Sequence, residues 1–242
     1  MLPIVEIVVD DPEGLEVALR GGAQRIELCA ALALGALTPS PGLIAQAARM
    51  QAETGVPVVA MIRPRPGDFI YSPAEIDAML TDIAAVGQAG LAGVAFGVTL
   101  PDGRPDAEAM ARLMLAARGL ETVWHRSFDL APDPFAALEL AVGLGITRIM
   151  SSGGQARAVD GRNRLAALAQ ASAGHIAIMA GGGVDADNAP ALIAAGITEL
   201  HASCRDTPPE GPRMGALSVG AARPRTSETQ VRDLCRAARQ AD

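Results

Sequence analysis

Short apolar and β-branched runs recur along the whole chain, and each is followed by an alanine-rich stretch suited to a helix. The strands this pattern predicts are 4–9 (IVEIVV), 24–29 (QRIELC), 57–62 (PVVAMI), 92–97 (AGVAFG), 122–126 (TVWHR), 147–151 (TRIMS), 175–180 (HIAIMA) and 198–202 (TELHA). The helices fit 12–20, 41–53, 73–88, 106–118, 133–143, 161–171, 186–195 and 228–240. Ser72-Pro73 and Asp133-Pro134 set a proline just after a capping residue, and Asp185 is placed to cap its helix. Glycines 21, 90, 145 and 196 stand just past four helix ends, where a left-handed residue is wanted.

Alternating strands and helices in this number predict an α/β protein with the TIM (β/α)8 barrel fold, a single domain over residues 1–242. A doubly wound open sheet is the alternative, but it calls for fewer units and a fingerprint such as GxGxxG, which the chain lacks. Residues 205–227 (RDTPPEGPRMGALSVGAARPRTS) read either as an extended loop after the eighth strand or as a tail before the last helix.

Within 25-RIELC-29 the apolar Ile26 and Leu28 alternate with Arg25, Glu27 and Cys29, so the polar set shares one face. In a barrel the apolar pair suits the helix layer, and the polar set points to the interior, with Cys29 near the C-terminal end where such barrels place their sites. An interior Arg–Glu pair is costly to desolvate and so calls for a reason.

Other strand ends carry matching residues. The first strand offers Glu6 and then Asp10. The third runs into 61-MIRPRPGDFIY-71, with Arg63, Arg65 and Asp68, and the fifth ends in 124-WHRSFD-129, with His125 and Asp129. His125 and His201 both sit at strand ends, which turns a residue type more often structural toward function. The candidate catalytic set is therefore Glu6, Arg25, Glu27, Arg63, Asp68, His125, Asp129 and His201. The glycine runs 151-SSGG-154 and 181-GGGV-184 allow close backbone approach to a phosphate or carboxylate, or are simply tight turns. They make Ser152, Gly153, Gly154, Gly182 and Gly183, with Arg65 and Ser203, the candidate anion-binding residues.

Composition narrows the chemistry. The formal charge of −7 argues against nucleic-acid binding. All 20 cationic side chains are arginine. Without lysine, Schiff-base aldolases, pyridoxal-phosphate enzymes and P-loop nucleotidases are excluded. Cys29, Cys204 and Cys235 lie far apart with no CxxC, so no disulfide framework or zinc finger is expected. The opening MLPIVEIVVDD has neither a basic region nor a long apolar core, and no apolar run is long enough to cross a bilayer. A soluble, cytoplasmic protein is expected. Soft copper(I) donors are present as Cys29, Met61, Met150 and Met179, with Cys204 behind His201, but none has CxC, CxxC or MxxM spacing. Glu6, Glu27 and a histidine could hold a harder metal, although no HxH or HExxH supports it.

The succession RIELC, LTPS (37–40), MIRPR-x-GDF-x-YS (61–72), HR-x-FD (125–129), SGG (152–154), GGGV and H-x-S resembles the CutC family from Glu6 to Ser203. The resemblance implies a TIM barrel and cytoplasmic copper handling. It also implies copper(I) binding through Cys29, which matches one of the family's proposed cysteine ligands, while Cys204 and Cys235 match none. Departures from the family pattern are Ala36 for a glycine before LTPS, Pro66 for glycine, Ser127 for alanine, and Ala202-Ser203-Cys204 for Gly-Ser-Ala. Two readings stand: a copper-binding protein of copper homeostasis, and a metal-independent enzyme doing acid–base chemistry on a small anionic or sugar-like substrate. In the second, a glutamate or His125 moves a proton, and Arg25 and Arg63 hold an anion or oxyanion. Either way the expected partner is copper or a small anionic ligand, with no organic cofactor, nucleic acid or membrane, in a homo-oligomer. Glu6, Arg25, Glu27, Arg63 and His125 are expected to share one pocket, with Glu27 against Arg63 or another arginine and its pKa kept low.

Overall fold

The structure, a computed structural model, describes residues 2–206 and 223–241. Eight parallel strands close a barrel in chain order: β1 (Ile4–Val9), β2 (Arg25–Leu28), β3 (Val58–Met61), β4 (Gly93–Phe96), β5 (Glu121–Trp124), β6 (Arg148–Ser151), β7 (Ala177–Gly181) and β8 (Glu199–Ala202). The helices between and after them are α1 (Pro12–Gly21), α2 (Pro41–Thr54), α3 (Pro73–Ala89), α4 (Ala107–Ala116), α5 (Pro134–Leu144), α6 (Arg162–Ala171), α7 (Ala189–Ala194) and α8 (Glu228–Gln240). Pairing of β1 with β8, which sets Glu6 level with His201, closes the circle and rules out an open sheet. The barrel is the fold expected.

Residue alternation makes the two layers. Val5, Ile7, Val9, Ile26 and Leu28 turn out toward the helices and join one large apolar cluster. Val8, Cys29, Val59, Met61, Ala95, Val123, Met150 and Met179 fill the barrel axis. Each fully buried aliphatic side chain contributes roughly 1.5–3 kcal/mol, before the entropy of ordering it is counted.

Ser72 and Asp133 cap α3 and α5 as expected, Ser72 within a capping box completed by Glu75. Two end assignments shift. Asp185 accepts from the N–H groups of Asp187 and Asn188, so it caps a turn ahead of α7, which starts only at Ala189. Gly21 lies inside α1 and Gly22 is its left-handed cap, at φ 95°. Gly21 is glycine for a different reason: a Cβ there would stand 2.4 Å from the Val231 side chain of α8.

Beyond β8, two short strands, β9 (Arg205–Asp206) and β10 (Arg225–Thr226), pair antiparallel at the base of the proline-rich segment. The rest of that segment, residues 207–222, lies outside the described residues. Among the described residues no helix is long and apolar enough to cross a membrane.

Candidate active site at the barrel mouth

The barrel carries a layer of charge below its C-terminal mouth. Strand register puts Glu6 level with both Arg25 and His201. Arg25 donates to Glu6 through Nε and to Glu199 through Nη2. Glu199 also accepts from Arg148 Nε at 2.7 Å, and Arg148 reaches Glu121 at 2.9 Å toward the opposite end. Burial would raise the Glu6 carboxyl, but Arg25 and the His201 hydrogen bond outweigh it and bring it down to about 2.

Glu6 also fixes the neighbouring His201. Its Oε1 lies 2.7 Å from His201 Nδ1, which makes Nδ1–H the donor to a carboxylate. His201 Nε2 is then left facing Glu27 Oε2 at 3.9 Å. Glu27 is buried, and its Oε1 has no hydrogen-bond partner among the described residues. Burial first, and the nearby Glu6 charge, push its carboxyl up to about 7 against the pull of His201 and Arg25. The expectation that an arginine keeps Glu27 ionised is corrected here. Arg25 turns down to Glu6 and Glu199, and Arg63 is occupied elsewhere.

Arg63 and His125 form the other wall. Arg63 donates through Nη1 to the Gly35 carbonyl at 2.7 Å and through Nη2 to the Gly67 carbonyl at 2.6 Å. A Cβ at Gly35 would lie 2.7 Å from Nη1, so only glycine admits this docking. Among the described residues no carboxylate pairs with Arg63, and its Nε has no partner. His125 Nδ1 accepts from the Ser127 N–H at 3.2 Å, so the ring proton is on Nε2, which also has no partner. Burial and the Arg63 charge lower His125 to about 3, keeping it neutral. Phe69 packs against both, its ring centre 4.8 Å from the Arg63 guanidinium and 4.9 Å from the His125 ring centre.

A cavity of about 330 Å³ opens at this level, lined by Glu27, Arg63, His125 and His201, with Met61, Phe69, Met150, Gly182, Gly183 and Ser203 around them. Glu6 and Arg25 do not line it; Arg25 pairs with Glu6, and Glu6 holds His201. Asp68 and Arg65 are outside as well. They pair with each other at 2.9 Å on the loop after β3, and Arg65 also holds Glu75. Arg126, which the sequence reading passed over, does line the cavity. Its place next to His125 in the HR-x-FD stretch was the available signal.

Asp129 is not at the cavity either. It accepts from the N–H groups of Ser152 at 3.1 Å and Gly154 at 3.2 Å, from Ser151 Oγ, and from Arg126 Nε at 3.0 Å. Gly153 N–H goes to Ser151 Oγ at 2.8 Å. The donors of the SSGG turn that were expected to meet a phosphate thus hold a carboxylate of the chain itself. Ser127, unusual for alanine, accepts the Trp124 indole N–H at 3.0 Å.

Cys29 is buried in the barrel axis and donates to the Val9 carbonyl at 3.4 Å. Burial, then the Glu27 charge, raise its thiol far above the usual range. Glu6, Glu27 and His201 bring ligand atoms within 4.8 Å of one another, the arrangement a metal site would need. Both Glu6 oxygens are already engaged, however, which leaves two donors.

The CutC family model matches residues 3–206. The chain belongs to the CutC family. The CutC family protein of Rhizobium meliloti is 48% identical over 234 residues, covering 95% of this chain and 94% of its own. A Streptococcus agalactiae protein named for copper homeostasis, CutC, has a crystal structure that superposes with a TM-score of 0.80 at 31% identity, over 84% of this chain and 99% of that one. Thiamine phosphate pyrophosphorylase from Pyrococcus furiosus shares the barrel at TM-score 0.62 and 16% identity, which is a likeness of fold alone. Within the CutC sequence pattern, Ala36 takes a left-handed φ of 67°, a conformation that suits the glycine usual there.

Proposed function

We propose that this CutC family chain serves copper homeostasis in the cytoplasm, the role for which its Streptococcus agalactiae relative is named. Its molecular activity in this reading is acid–base chemistry on a small anionic or sugar-like molecule held in the barrel mouth. One observation carries the chemistry: Glu27 is a buried carboxyl without an arginine partner, pushed up to about 7, beside a histidine and at a cavity. A group poised near neutrality both takes and returns a proton, which is what general acid–base catalysis needs. Arg63 supplies a positive charge that no carboxylate among the described residues offsets, and this supports an anionic or electron-rich ligand.

Copper binding is the second reading, and a specific observation favours it. Met61, Met150 and His201 line the same cavity, and thioether and imidazole donors suit copper(I). Cys29 does not fit that set, because it is buried and does not line the cavity, and its proton is firmly held. The homo-oligomer expected from the sequence is part of the same proposal, and light scattering checks it.

Native mass spectrometry of the purified chain, with metal analysis on the same sample, tests the proposal. A retained small organic molecule with copper well below one per chain is expected. Stoichiometric copper without an organic ligand would replace this reading with the second one.

A further inference from the structure

Glu27 supplies the proton-transfer group, and the opposite wall identifies the kind of atom that faces it. Arg63 gives one N–H of each Nη nitrogen to the Gly35 and Gly67 carbonyls, and its Nε–H has no partner among the described residues. His125 likewise has a single N–H left, at Nε2, and is locked neutral by the Ser127 N–H. Phe69 keeps the two side chains on one wall. Arg126, the remaining cation, already serves Asp129 and Ser152. A phosphate has several oxygens and draws bidentate arginines and clustered backbone N–H groups. The unpartnered Arg63 Nε–H and His125 Nε2–H offer one donor each, which suits a carbonyl oxygen. A neutral imidazole paired with a guanidinium favours an oxygen that gains charge during reaction over one that is fully anionic beforehand.

We propose that the barrel mouth enolises a small hydroxycarbonyl compound, with Glu27 as the base and the Arg63 Nε–H and His125 Nε2–H as the donors to its carbonyl oxygen. The inference rests on the acid–base reading above and names its substrate class. The C–H bond next to the carbonyl breaks, and its proton passes to the Glu27 carboxylate. The C–H electron pair becomes the C=C bond, and the carbonyl π pair moves onto the oxygen held by Arg63 and His125. Return of the proton from Glu27 to the same carbon re-forms the original carbonyl. Return to the neighbouring carbon, with the hydroxyl proton passing to the oxygen held by Arg63 and His125, moves the carbonyl to the other carbon. No external oxidant or co-reactant is consumed. His201, pinned by Glu6, stands with its Nε2 3.9 Å from the Glu27 carboxyl. The cavity of about 330 Å³ suits a compound of a few carbons.

The test uses the whole chain in deuterium oxide with hydroxyacetone, dihydroxyacetone and glyceraldehyde, following loss of the proton next to the carbonyl by NMR. Exchange above background with at least one compound is expected, falling about 100-fold or more in Glu27→Gln. Glycolohydroxamate, a planar mimic of the enediolate, provides a second readout on the wild-type chain by calorimetry. It is expected to bind, and His125→Ala or Arg63→Gln should each weaken it about 10-fold. Absence of exchange with all three compounds together with no hydroxamate binding would overturn the inference, as would exchange that survives Glu27→Gln. A retained molecule without a carbonyl group would also overturn it while leaving the acid–base reading intact. An empty native mass spectrum would count against that reading itself.

Discussion

His201 holds its Nε2 3.9 Å from Oε2 of Glu27, too far for a hydrogen bond and too near for the two groups to titrate independently. Each shifts the other. Burial alone would lower the histidine, but Glu27 and Glu6 raise it, while Glu27 itself rises because burial outweighs the histidine's charge.

This relationship gives stability a definite pH dependence. Glu27 has a folded pKa raised from 4.5 to about 7, so its contribution is fully present below 4.5 and lost as pH rises through about 7. Glu27→Gln stays neutral throughout and escapes that loss. Urea unfolding should show the variant gaining on wild type by about 1–3 kcal/mol between roughly pH 5 and pH 8. A constant difference across that range would count against a buried, protonatable Glu27.

Glu6 has the opposite sign. Its pKa is lowered from 4.5 to about 2, so its contribution is present above 4.5 and lost as pH falls through about 2. Glu6→Gln removes the carboxylate between buried Arg25 and His201 and should cost about 3 kcal/mol near neutrality. Glu121→Gln, at the exposed end of the same chain of charges, should stay within about 0.5 kcal/mol in the same assay.

The barrel was legible because every βα unit carries its own local signals, among them the Ser72 and Asp133 caps. That Glu27 points inward followed from the alternation in RIELC. Its partner did not, because partners inside a barrel are set by the register between strands. Arg25 and Glu27 share a face but occupy different layers, and Arg25 is level with Glu6. The fate of the SSGG donors depends on Asp129, more than 20 residues earlier, which no local pattern reveals. Arg65 and Asp68 show the reverse error: charges crowded into one loop satisfied each other.

Ala36 offers a test of backbone strain at the mouth. At φ 67° an alanine pays a steric penalty that glycine avoids. Ala36→Gly should raise stability by about 0.5 kcal/mol, the remainder after the extra unfolded-chain entropy of glycine is subtracted. A lower melting temperature in the variant would contradict this.

For copper, the position of Cys29 predicts indifference. Titration of copper(I) against a chelating competitor should give weak binding that Cys29→Ser leaves within about 2-fold, since a buried protonated thiol is a poor ligand. Tight stoichiometric binding abolished by Cys29→Ser would mean that the thiol reaches copper after all.

The most direct test of the account is the titration of Glu27 itself. Protein labelled with carbon-13 at the glutamate carboxyls, with Glu27→Gln to assign the signal, can be followed by NMR from acid to alkaline pH. One carboxyl is predicted to titrate near 7 and to vanish in Glu27→Gln. If the Glu27 carboxyl instead titrates at or below its ordinary value of 4.5, the proton-transfer site at the barrel mouth is contradicted.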